Sequence, residues 1–245
     1  MLRLLRKIKP GKRDGEKSGS FWRFAIAESV LIFLGILLAL QVDNWNQERK
    51  DRKLERVLLS EMLGNLKVDL DDIKYSIKYL EQYQNSSQLV LDFLNSDLPW
   101  NDSLGRHFAQ LMVMVLFDVN TSAYESLKSI GIDLIHNEKL RKGITNVYSV
   151  AYNHVQANQS LLSDFLYTNL YPALRENLRT VIPREISVPL NLEELRQNNS
   201  FREDLNMSIF HYGISLRIHY KTSETISLMI EDIERELGLE STESN

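Results

Sequence analysis

The stretch FAIAESVLIFLGILLALQV, Phe24 to Val42, decides how this chain is built. As an α-helix its 19 residues rise roughly 28 Å, about the thickness of a bilayer core. Only Glu28, Ser29 and Gln41 are polar, and no proline interrupts the run. Trp22 and Trp45 bracket it at the depth where interfacial aromatics belong. The reading is one transmembrane helix over 24–42 rather than a buried core helix.

The flanks predict an orientation. Eight Lys/Arg precede the span, from Arg3 to Arg23, against Asp14 and Glu16. Five follow closely, Arg49 to Arg56, interleaved with Asp43, Glu48, Asp51 and Glu55. Lys/Arg bias sets topology, so the basic tail 1–23 is expected in the cytoplasm. That tail also suits anionic headgroups. It lacks the interleaved aromatics of a nucleic-acid surface, and no nucleic acid is expected as a partner. A cleaved signal peptide fits poorly, because the apolar run is too long and Ala39-Leu40-Gln41 is a weak cleavage site. An uncleaved signal anchor is expected, with the lipid bilayer as its first partner.

One stripe of the span carries Ala25, Glu28, Ser29, Ile32, Gly35 and Ala39. Ala25 with Ser29, and Gly35 with Ala39, are small-xxx-small pairs that permit close approach of a second helix. They are the candidate association residues, for another copy of the chain or a membrane-protein partner. Glu28 lies near the inner end of the span, within reach of headgroups or Arg23.

The body, 43–239, is long enough to bury a core of its own, and one domain is the simplest count. From Asp43 onward it holds 21 Lys/Arg against 30 Asp/Glu, a formal charge of −9. Such a surface is soluble and does not suit polyanions. Cysteine is absent, so stability must come from packing. Leu59, Leu63, Leu66, Leu70, Ile73, Ile77 and Leu80 repeat at 4-3 spacing, a heptad seam. It fits equally a pairing between chains and the core of one bundle. No stop separates it from the anchor, so one helix is expected to run on to about Tyr83, followed by a short helix over 88–94.

Further along, Asp102 or Ser103 can cap a helix burying Leu104, Phe108, Leu111 and Val115. Ser122 and Glu125 have the spacing of a capping box, with Gly131 at the helix end. Asn137 is expected to cap a long helix that Pro172 halts near Tyr171. Residues 180–190, with Pro183 and Pro189, read as a connection or short extended segment. A last helix spans about 200–237, and the tail 240–245 should fray. The expected fold is all-α: an N-terminal transmembrane helix, then an antiparallel bundle of long helices.

Two blocks resemble a known family. One is Ala25-Ile26-Ala27-Glu28 together with 35–46, GILLALQVDNWN; the other is Ala123-Tyr124-Glu125-Ser126-Leu127 through Gly131 and Ile135 to Leu140-Arg141. Both are similar to an uncharacterised single-pass membrane-protein family of Bacteroidetes-type bacteria, a domain of unknown function. The family usually has glycine where this chain has Ala27. The resemblance implies a bacterial inner membrane and a periplasmic body. It implies no catalytic residue, and it would make the six Asn-x-Ser/Thr triplets, such as those at Asn85 and Asn120, chance occurrences.

No phosphate-cradling loop, zincin motif or nucleophile elbow occurs in the sequence. Asp69, Asp71 and Asp72 read as a solvated helix face. The one constellation worth following is polar residues interrupting two seams. In the last helix, His219 and Ser223 interrupt Leu205, Ile209, Tyr212, Leu216, Ile226 and Ile230. After Asn137, a seam of Leu140, Ile144, Val147, Ala151, Leu161 and Phe165 is interrupted by His154 and Asn158. In an antiparallel bundle these midpoints would meet, making His154, Asn158, His219 and Ser223 candidate ligand-binding residues. A second phase, through Tyr148, Ala151, Val155, Leu162 and Leu166, is equally apolar and turns His154 outward. Two histidines without an acidic partner are a poor metal signal, so no metal and no cofactor are expected.

The sequence therefore leads to a non-enzymatic interaction or scaffold module tied to the bacterial envelope. The alternative is a ligand-sensing bundle acting through a membrane partner, because the cytoplasmic tail is too short to signal alone.

Overall fold

The structure, a computed structural model, describes residues 18–239, with side chains described for Trp22 and from Ile26 onward. Residues 1–17, the larger part of the expected basic tail, and the tail 240–245 lie outside the described residues, as does the side chain of Ala25. The chain divides into two units, one ending at Lys53 and the other starting at Leu54.

Helix α1 is Ser18–Leu94. It includes residues 88–94, expected as a separate helix; nothing in that stretch breaks a helix. In the first unit every residue from Ile26 to Lys50 is exposed. The apolar part of this segment is long enough to cross a membrane.

The second unit is a helical bundle. Helices α2 (Leu104–Gln110) and α3 (Ser122–Ile130) follow, then α4 (Glu138–Asn146), α5 (Tyr152–Phe165) and α6 (Tyr171–Asn177). A hairpin of β1 (Leu178–Ile182) and β2 (Ile186–Pro189) leads to α7 (Leu192–Gln197) and α8 (Asn199–Leu237). The heptad seam is core of this unit: Leu59, Leu66, Ile73 and Leu80 are 0–2% exposed and pack on residues of the same chain. One cluster joins α1 to Leu127, Ile144, Tyr152, Ile226 and Ile233. The other joins it to Phe108, Leu166, Leu170, Phe201 and Leu205.

Side-chain bonds fix the directions. Arg56 Nη2 donates to the Leu237 carbonyl at 3.0 Å, satisfying the end of α8, and Gln84 Nε2 donates to the Ile209 carbonyl at 3.1 Å. So α8 runs antiparallel to α1. Asn137 to Glu236 (2.7 Å) and Ser215 to Asn158 (2.6 Å) make α8 antiparallel to α4–α6 as well. The His136 N–H to Glu55 Oε1 (2.9 Å) and the Tyr152 hydroxyl to Asp69 Oδ2 (2.5 Å) show that α1 and α4–α6 point the same way. Residues 95–137 make the return journey between them.

Helices α4, α5 and α6 are joined by two π turns, Val147–Ala151 and Leu166–Leu170. In each, an N–H reaches five residues back, Tyr152 to Val147 and Tyr171 to Leu166. Each turn inserts one residue into the helical repeat. The second ends two residues before Pro172, and the helix passes that proline to end at Asn177 instead of stopping at Tyr171. Proline is tolerated in the first turn of a helical segment, where its missing N–H matters least.

Two other local expectations change. Ser122 and Glu125 form no capping box: Thr121 occupies the cap position of α3, and the Ser122 hydroxyl donates to Asn120 Oδ1 at 2.9 Å. Residues 178–189 form an antiparallel hairpin, pairing Leu178 with Pro189 and Thr180 with Ser187. Its two prolines sit at the turn and at the end of β2, where no ladder donor is lost. Gly105 lets α2 approach it; an added Cβ would lie 3.0 Å from Ile186 Cγ2. Gly131 ends α3 at φ 126°, open to glycine. Arg184 in the hairpin turn holds φ 63°, a left-handed conformation that costs a side-chain-bearing residue about 1 kcal/mol.

Candidate functional site

The midpoints of α5 and α8 meet, but with a different set of side chains from the four expected. Asn158 is buried and its Oδ1 accepts from Ser215 Oγ at 2.6 Å. His219 is 4% exposed, and its Nδ1 lies 2.8 Å from the Ser215 carbonyl. A carbonyl only accepts, so Nδ1 carries the proton. Burial holds the ring's basicity below the ordinary histidine value, and the Ser215 contact partly opposes this. His154 is not part of this layer. It is exposed, on a groove of about 190 Å³ shared with Asn146, Lys221 and Thr222. Ser223 is half-buried, and the buried polar residue of that turn is Thr222.

The π turn at Val147–Ala151 explains the displacement. From it onward the apolar positions of the 4-3 seam move on by one: Tyr148, Tyr152, Val155, Leu162 and Leu166 are buried where Val147, Ala151, His154, Leu161 and Phe165 were expected, while Asn158 keeps its place. Val147, at the start of the turn, is buried too, while Leu161 is 63% exposed. The second seam phase is adopted at Tyr148, Val155, Leu162 and Leu166, with Tyr152 buried in place of Ala151.

Sequence reading missed Ser215, which sits on α8 one turn before His219 and ties the layer together. It also missed Asp69, expected on a solvated face. Asp71 and Asp72 are exposed, but Asp69 is 1% exposed. Its carboxylate accepts from the Tyr152 hydroxyl at 2.5 Å and from the Asn120 N–H at 3.2 Å. Desolvation pushes its pKa up, against those two bonds, with the Asp72 charge adding to the rise. Tyr148 stands beside it, its ring stacked on Tyr124 at 4.5 Å and its hydroxyl buried without a partner.

Between these groups lies Phe117, 2% exposed, with its ring centroid 6.0 Å from Tyr152 and 6.3 Å from His219. Its N–H donates to Gln159 Oε1 at 2.9 Å. Apart from the Tyr148 hydroxyl, the layer is thus a set of hydrogen-bonded polar groups around an aromatic plug. Ser215 and His219 meet through a backbone carbonyl, not through the hydroxyl a nucleophile would use. Ser86 does approach a histidine, His107 Nδ1, at 3.1 Å. Its hydroxyl is buried and also bonds Gln110 Oε1, closed to a substrate. Among the described residues no three His, Cys, Asp or Glu side chains converge as metal ligands.

A larger concavity than the His154 groove lies elsewhere in this unit. It holds about 730 Å³ beside the loop after α1, with Leu89, Phe93, Leu98 and Trp100 and the acidic Asp92 and Asp102 among its lining residues. Of the association stripe in the first unit, Ser29, Gly35 and Ala39 are exposed, and a Cβ placed on Gly35 meets nothing within 4 Å.

No curated protein and no solved structure matches the chain. A family model does, over residues 28–169, more than half of the sequence; its description is a family of unknown function, DUF6090. The match takes in the apolar segment from Glu28, the α1 seam, Asp69, the Phe117 segment and the polar positions of α5. The chain belongs to the DUF6090 family of unknown function.

Proposed function

We propose that this protein is a non-enzymatic interaction module, held in a bacterial inner membrane by α1, with a cytoplasmic N-terminus and a periplasmic helical body. One observation carries the reading: residues 26–42 are apolar apart from Glu28, Ser29 and Gln41, and all are exposed. An apolar surface of that length is covered in a cell by lipid or by another helix. The Lys/Arg bias supports the orientation, and the resemblance of the anchor block to an uncharacterised single-pass membrane-protein family supports the compartment.

Because the α1 seam of the second unit is occupied by its own chain, association is assigned to the membrane segment, where Gly35 and Ala39 present a small face. Crosslinking in native membranes tests this. Wild type should give a discrete product, either twice the monomer mass or that of a membrane partner. Gly35→Leu should reduce it several-fold, since close packing rather than a hydrophobic drive holds membrane helices together. A wild-type chain that stays monomeric under crosslinking would end the association reading.

A ligand-sensing bundle acting through a membrane partner is the second reading. The concavity of about 730 Å³ at Trp100 favours it, being of ligand-pocket size.

A further inference from the structure

A separate cleft of about 360 Å³ opens between the middle of α1 and the hairpin turn. Tyr75, Tyr79 and Tyr83 line it from α1, with Gln82, Gln110 and Arg184 around them and residues 113–115 completing the wall. Spacing of four places the three tyrosines on one face. Their ring centroids are 4.5 and 6.0 Å apart. The ladder climbs out of the core: Tyr83 is 5% exposed, Tyr79 half-buried and Tyr75 57% exposed. Tyr83 is ordinary core, continuing to Tyr212 at 6.2 Å. Tyr75 and Tyr79 present ring surface to the cleft instead.

The polar groups are arranged to receive something. Buried Ser86 bonds Gln110 Oε1, which leaves the Gln110 amide N–H groups as its remaining polar contribution. Arg184 has no carboxylate partner among the described residues, and no Asp or Glu lines the cleft. That is notable in a body where acids outnumber bases by nine. Arg184 also holds its left-handed φ of 63° where a glycine would fit freely. Strain of this kind at a binding group is a pointer to function.

We propose that this cleft binds an acidic saccharide. The C–H face of a sugar ring lies on Tyr75 and Tyr79, the Gln82 and Gln110 amides meet its hydroxyls, and its carboxylate takes the planar donor fork of Arg184. A tyrosine face suits a ring with one apolar side and a polar rim. A guanidinium suits a carboxylate because two N–H groups match two oxygens. The volume has room for one or two sugar rings and falls in the range of small-molecule sites.

Glucuronic acid and glucose differ only in the carboxylate, and saturation-transfer NMR on the detergent-solubilised full chain compares them. Glucuronate should bind in the millimolar range and glucose roughly tenfold more weakly. Arg184→Gly should abolish the preference while leaving thermal stability equal or higher, because glycine relieves the backbone. Tyr75→Ala, at an exposed position, should weaken both sugars. Absence of glucuronate saturation transfer, equal binding of the two sugars, or a preference retained in Arg184→Gly would each overturn the assignment. Benzoate binding as strongly as glucuronate would overturn the saccharide class. None of these readouts depends on crosslinking through Gly35.

Discussion

Replacing Phe117 with alanine should lower the stability of the helical body by about 3–5 kcal/mol, the usual range for removing a fully buried aromatic ring. The ring fills the space between Tyr152 and His219 and is 2% exposed. Its loss also unpins the connection between α2 and α3. Among the described residues that segment, 111–121, makes no ladder with another strand. It is held at its far end by two backbone donors, Phe117 to Gln159 and Asn120 to Asp69. Local stability follows from such contacts, so amide exchange over 113–120 should rise more than exchange in α8. Denaturant unfolding and hydrogen exchange read the two effects. A loss below about 1 kcal/mol with unchanged exchange would place Phe117 outside the core.

Asp69 gives the second large effect, and its sign depends on the substitution. Asp69→Ala removes the acceptor of both the Tyr152 hydroxyl and the Asn120 N–H, and should cost about 3 kcal/mol. Asp69→Asn keeps shape and an acceptor while removing a buried charge, and should stay within about 1 kcal/mol of wild type. The folded carboxyl is held above its ordinary 3.8, chiefly by burial. The folded protein therefore binds that proton more tightly than the unfolded chain. Asp69's contribution is fully present below pH 3.8 and is lost as pH rises through the folded-state value. His219, His107 and His211 act oppositely. Burial lowers each below 6.5, so their contribution is lost as pH falls from that value through the folded-state one. Comparing Asp69→Asn with wild type isolates the carboxylate. The variant should gain on wild type between pH 4 and pH 7. A variant that loses ground over that range would mean the charge is stabilised rather than tolerated.

These two residues also mark what the sequence did and did not disclose. The α1 seam, the cap at Asn137 and the extent of α8 were legible because each rests on local periodicity or a single side chain. Asn137 does accept from the Leu140 N–H, at 3.2 Å. Asp69 was hidden because it adjoins two exposed aspartates. Its burial comes from Tyr152 and Asn120, 83 and 51 residues away. His154 was misplaced because the seam was extended at constant pitch through a π turn, which nothing in VYSVA announces. Residues 180–190 were legible as a connection or short extended segment but not as a paired hairpin, because β1 and β2 are five and four residues long, too short for alternation to register. Polar seam positions did locate the meeting of α5 and α8, yet two of the four named residues belong to it. His219 and Asn158 were legible as interruptions of an apolar stripe, whereas Ser215 lies off the seam that was followed.

Anchoring with an outward-facing body predicts that a reporter enzyme active only in the periplasm, fused after Asn245, will be active in cells expressing the full chain. A reporter active only in the cytosol should be silent at the same position. The opposite pattern, with activity confined to the cytosolic reporter, would contradict the proposed topology and with it the assignment of the helical body to the envelope.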